Sequence, residues 1–66
     1  MTNLNKKTYE LEVWYRFMIG DSQEKDFDTH PVQANSLDEA IEEVKKLYNR
    51  SRAVFAIYHN KIKLNF

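Results

Sequence analysis

The chain has no cysteine, which excludes disulfides and thiolate-bound metals and fits a reducing compartment; a cytoplasmic location is expected. A single glycine leaves nothing from which to build a Gly-rich phosphate loop. Two histidines, His30 and His59, are too few for a metal site without carboxylate help, and neither a metal nor a cofactor is expected. Neither sign of charge is in excess. Ten basic residues balance ten acidic ones, whereas nucleic-acid binders draw affinity from a basic surplus that meets phosphate. No apolar run is long enough to cross a bilayer. The opening MTNLNKKTYE lacks the apolar segment of a secretory leader, and residues 1–7 read as a flexible polar arm ahead of a single domain over residues 8–66. A domain this small buries only about 60% of its unfolded surface. Self-association or docking into a larger complex is the external support left to it.

What the chain does have is alternation. In TYELEVWYRF, residues 8–17, the positions Tyr9, Leu11, Val13, Tyr15 and Phe17 recur by twos, and Ile19 continues the series. That is the period of one strand face. The opposite face carries Thr8, Glu10, Glu12, Trp14, Arg16 and Met18. Gly20-Asp21-Ser22-Gln23 is turn chemistry, and residues 24–34 follow as the second strand of a hairpin. There Phe27 falls on an odd position while Val32 and Ala34 fall on even ones. That phase change predicts a β-bulge near His30-Pro31, and Pro31, with no ladder donor, predicts a sheet edge.

Residues 36–49 predict a helix. Ser36 and Glu39 make a capping box, and Leu37, Ala40, Ile41, Val44, Leu47 and Tyr48 form one apolar stripe. Acids precede bases along it, as the helix dipole favours, and Glu42 with Lys46 is an i,i+4 pair. Asn49 reads as a left-handed stop. Residues 53–59 are apolar on both faces and predict a central strand. A turn at Asn60-Lys61 leads to a short last strand carrying Ile62, Leu64 and Phe66. The order ββαββ gives an α+β fold: a four-stranded antiparallel sheet in the order 2-1-3-4, with one helix packed on one face. The expected core is Leu11, Val13, Tyr15, Phe17, Leu37, Ile41, Val44, Leu47, Phe55, Ile57, Ile62 and Leu64.

One helix covers one face of a sheet, so the other is open. Trp14, Arg16, Met18, Val54 and Tyr58 are expected there, with Lys63 at the rim. Trp, Tyr and Arg are enriched at interaction hot spots, and an exposed apolar patch on a small domain marks a contact site. The expectation is a small non-catalytic protein–protein interaction module, working as a homodimer or as a small subunit or inhibitor in a larger complex. The alternative is a single-stranded RNA platform that stacks bases on Trp14 and Tyr58, with Arg16, Lys61 and Lys63 near the phosphates. Glu10 and Glu12 on the same face oppose it. Catalysis is not expected, because no nucleophile or acid/base pair stands out. His30 and His59 read as polar surface residues, and Arg50-Ser51-Arg52 as a solvated helix exit. Glu24, Asp26 and Asp28 alternate along an edge strand, where acids discourage edge-to-edge aggregation.

Tyr9-Glu10-Leu11, Ala34 through Glu39-Ala40-Ile41, Tyr48-Asn49-Arg50 and Phe55-Ala56-Ile57 resemble the small B-type subunit of the phenylacetyl-CoA monooxygenase complex. That likeness implies a non-catalytic role in assembly. The same first strand with Arg16-Phe17, Glu39-Ala40 and Ser51-Arg52 is similar to the LX-type ribosomal protein of archaea and eukaryotes, which implies a place inside a large assembly.

Overall fold

The computed structural model describes residues 6–65; residues 1–5 of the expected arm over 1–7 and the last-strand position Phe66 lie outside them, and Lys7 already belongs to the first strand. Strands β1 (Lys7–Ile19), β2 (Ser22–Ala34), β3 (Ala53–His59) and β4 (Ile62–Lys63) form one antiparallel sheet, with helix α1 (Leu37–Lys45) between β2 and β3. The strand order is β2-β1-β3-β4, as the sequence predicts.

The alternation of residues 8–19 becomes a single long ladder. β1 and β2 pair without interruption from Lys7↔Ala34 to Ile19↔Ser22. Gly20 and Asp21 close the hairpin alone. Gly20 has φ 59° while Asp21 stays out of the left-handed region, the signature of a type II′ turn whose twist matches its strands. Because the ladder is unbroken, the expected bulge near His30-Pro31 does not form. β2 keeps one phase: Phe27 sits opposite Trp14, and Asp28, His30, Val32 and Ala34 share the face of Val13, Leu11, Tyr9 and Lys7. In an antiparallel ladder hydrogen-bonded pairs alternate. Counted from the closing pair Ile19↔Ser22, Pro31 falls at a position whose N–H would face away from β1. Its missing donor therefore costs nothing on this edge.

The irregularity lies in β3 instead. Its register with β1 runs Leu11↔His59 to Trp14↔Ala56, shifts by one, and resumes at Tyr15↔Val54. Phe55 is the extra residue of a β-bulge. The shift exchanges two expected placements. Val54 packs against the core under the helix, whereas Phe55 joins the opposite face, with its ring 6.5 Å from that of Trp14.

Helix α1 starts at the expected cap, Ser36, with the return bond of the box made one residue earlier, to Asn35. Ser36 Oγ accepts the Glu39 N–H at 3.2 Å, and Glu39 reaches back to accept the Asn35 N–H at 3.2 Å. It ends at Lys45, four residues short of Asn49. Leu47 and Tyr48 leave through i→i−3 bonds to Val44 and Lys45, so Leu47 is 54% exposed rather than core. Asn49 is extended at φ −144°, and its side chain caps a 3-10 turn, Arg50–Arg52, by accepting the Ser51 N–H. The helix ion pairs are Glu42–Lys45 and Glu43–Lys46, both i,i+3 in place of the expected Glu42–Lys46. Such exposed pairs add little stability.

Leu11, Val13, Ala34, Ala40, Ile41, Val44 and Ile57 form the buried core between α1 and the odd face of β1. Tyr15 is buried beside it, and Leu37 and Leu64 pack at its rim. Ile62, expected inside, is 66% exposed, because β4 is a two-residue edge beyond the helix's reach. Asn60 and Lys61 both take positive φ, 52° and 66°, the two-residue type I′ geometry that prefers Asn-Gly. Asn tolerates it, but a lysine Cβ is strained there. Lys61→Gly should therefore raise stability by about 0.5 kcal/mol, the strain relieved less the added chain entropy, read as an increased urea midpoint.

Candidate interaction face

Among the described residues the sheet's second face carries no helix, and β1 and β2 bring their even and odd positions together on it. Trp14 and Phe27 are cross-strand partners whose rings stack at 4.7 Å. Phe55, delivered by the bulge, completes an aromatic row. Ala56, registered opposite Trp14, is only 3% exposed, and the flanking rings supply its cover. The row is not closed, since Phe27 remains 45% exposed and Met18 more so. Cross-strand aromatic pairs of this kind stabilise a sheet by about 0.5–1.5 kcal/mol beyond their area.

Charge is distributed unevenly along this face. Beyond the aromatic row, Arg16 and Lys25 are paired across the strands, and both cations sit over the Phe55 ring, at 4.6 and 5.8 Å. On the other side of Trp14 come Glu12 and Glu10. Glu12 accepts the indole N–H of Trp14, which fixes the tilt of the ring. Tyr58 is registered opposite Glu12, and Lys63 opposite Tyr58.

Five of the six residues expected to form the face therefore share it: Trp14, Arg16, Met18, Tyr58 and Lys63. Val54 does not, because the bulge turns it to the core. Phe27 and Phe55 belong to the face but are not among the expected residues: the bulge expected in β2 does not form, so Phe27 stays in phase opposite Trp14, and the bulge falls in β3 instead, where it turns Phe55 outward.

No protein-family model matches the chain, and no curated protein and no solved structure matches it either. No helix among the described residues is long and apolar enough to cross a membrane.

A second group of interacting polar side chains lies on the helix side, where the sequence suggests surface positions for Asp28, His30 and Arg52 and a place on the apolar stripe for Tyr48. Past the end of α1, Tyr48 folds back over Tyr15, with ring centroids 5.4 Å apart. Its hydroxyl donates to Asp28 Oδ2 at 3.0 Å and lies 2.6 Å from His30 Nε2. The phenol has one proton and gives it to Asp28, so His30 donates its Nε2–H to the phenol oxygen. Arg52 lies over the Tyr48 ring at 4.7 Å and reaches Asp28 at 3.7 Å. Burial first, then the hydrogen bond to Asp28, push the Tyr48 phenol up to about 12. These contacts tie the segment that leaves the helix to β2, as a latch would.

Between the two regions, Arg16, Phe17, Met18, Gln23, Arg50, Ser51 and Ala53 line an open cleft of about 430 Å³. It lies where β1 runs on past the end of β3, since their register stops at Arg16↔Ala53. Among the described residues neither Arg16 nor Arg50 has a carboxylate within ion-pair reach.

Proposed function

We propose that this chain is a small non-catalytic protein–protein interaction module that binds through its helix-free sheet face. The observation carrying this reading is the Trp14–Phe27–Phe55 row, set on a sheet face without a helix and left part-open at Phe27. Aromatic residues with an arginine beside them are the side chains that concentrate binding energy at protein contacts. The sheet's long edge supports face binding over edge pairing. On β2 the outward donors include Pro31, which has none, and Phe27, whose N–H is taken by Asp26 Oδ1 at 2.7 Å. Both blunt strand addition.

Phe27→Glu tests the reading. The substitution sits on an exposed ring and should leave the circular dichroism spectrum unchanged. It should abolish association, read as molar mass by light scattering for self-association and as co-precipitation for a foreign partner. Association equal to that of the unaltered chain would overturn the proposal.

The single-stranded RNA alternative has weaker support. Trp14 offers one ring side to Phe27, and Tyr58 lies across from Glu12 rather than beside Trp14. A base stacked on Tyr58 would bring its phosphate towards an acid. Salt-dependent retention on a phosphate matrix would favour that reading instead.

A further inference from the structure

We infer that the partner on this face is a second copy of the chain, packed antiparallel across a two-fold axis that runs along the Trp14–Phe27 row. The inference rests on the face being an interaction surface and adds its occupant and geometry.

The argument is one of register and charge. A face-to-face two-fold dimer must be self-complementary. An axis in the interface plane, perpendicular to β1 and passing over Trp14, reverses strand direction. Position 12 of one copy then lies over position 16 of the other, and position 10 over position 18. The face is built to suit that reversal: Glu10 and Glu12 stand on one side of Trp14, and Arg16 with its cross-strand neighbour Lys25 stands on the other. Each copy's acidic end therefore meets the other's basic end, twice per dimer. The cleft takes part, because Arg16 and Met18 line it together with Arg50. Glu10 and Glu12 of the second copy descend where Arg16 and Arg50 lack carboxylate partners. Tyr58, in the row of Glu12, falls over Ala53, and Lys63, one strand further out, stays clear of Arg16, which avoids a clash of like charges. A parallel face-to-face arrangement would set Arg16 over Arg16 and Glu12 over Glu12. The molecule measures 49 by 24 Å in its two long dimensions, enough to supply the roughly 800 Å² per partner of a standard interface.

The test is a charge swap on the full chain. Unaltered protein should scatter as twice the 7.9 kDa chain. Arg16→Glu and Glu12→Arg should each be folded by circular dichroism and dissociate about a hundredfold more readily, since each places like charges together at two contacts. An equimolar mixture of the two should recover the dimer, because only the mixed pair then has opposite charges at both contacts. An unaltered chain that is monomeric at its highest soluble concentration would overturn the second-copy inference, while the Phe27→Glu comparison with a foreign partner would still judge the face itself. A dimer that the mixture fails to restore would overturn the antiparallel geometry. If either variant loses its structure, ionic strength reads the same contacts in the unaltered chain. Dissociation must rise with salt, and a salt-indifferent dimer would sink the proposal.

Discussion

Ile57→Ala should remove about 3 kcal/mol of stability, the middle of the range for truncating a fully buried isoleucine. Ile57 is 0% exposed. It is registered against Val13 at the centre of the sheet and belongs to the core under α1. With α1 pinned over it by Ile41 and Val44, the site has little freedom to collapse, so the lost contacts add to the lost transfer energy. Domains of about 60 residues are held by roughly 3–9 kcal/mol in all, so this one change takes a third or more of the total. The thermal midpoint should fall by roughly 12–24 °C. Ile62→Ala is the control. It removes the same atoms from a residue that is 66% exposed, and its effect should stay within about 0.5 kcal/mol. Similar losses at the two positions would mean that β4 is covered and the core wrongly placed.

Tyr48→Phe should cost about 1–2 kcal/mol near neutral pH, because it leaves Asp28 and His30 part-buried without their shared partner. It should also change how stability depends on pH. The fold favours the neutral phenol, raising it from 10.0 to about 12. The unfolded chain thus releases this proton more readily than the folded one. The stabilisation is complete below pH 10, and falls away as pH rises through about 12. The difference between the unaltered chain and Tyr48→Phe, measured as urea midpoints from pH 8 upwards, should shrink over that interval. A constant difference would mean that the phenol is free to ionise in the folded protein and the latch is not closed.

The sheet was legible because β1 alone states its phase. Six apolar positions at period two, from Tyr9 to Ile19, oblige one face to be buried, and the capping box at Ser36 and Glu39 marks the start of the helix. Three features were hidden because they depend on distant partners. Phe27 is out of phase with Val32 and Ala34 because it lies on the open face while they face the core, and a bulge is the simpler reading only while Asp28 and His30 count as surface residues. In fact Asp28 and His30 lie on the helix side, where Tyr48 and Arg52 satisfy them. The same bonds draw Tyr48 off the helical stripe, so the periodicity through Leu47 and Tyr48 overstates the length of α1. Val54 and Phe55 are both apolar, and nothing in AVFAIYH says which faces α1. The choice is made by the step in register between Trp14 and Tyr15. Five of the six candidate face residues were found because they lie on β1 or past the bulge, where simple alternation holds.

The unbroken β1–β2 ladder also sets an order in time. Its ends meet across a two-residue turn, and such hairpins close in about 1–10 μs. β3 must first return across residues 35–52, a long-range closure that is slow for entropic reasons. A lone hairpin is marginal in water, and until β3 and α1 dock, Leu11 and Val13 have no cover. The chain is most prone to stick to its copies during that interval. Pro31 and the Asp26 bond to the Phe27 N–H are local to the hairpin and are in place from the moment it closes. They therefore guard the nascent chain at its most exposed stage, ahead of any role in the finished fold.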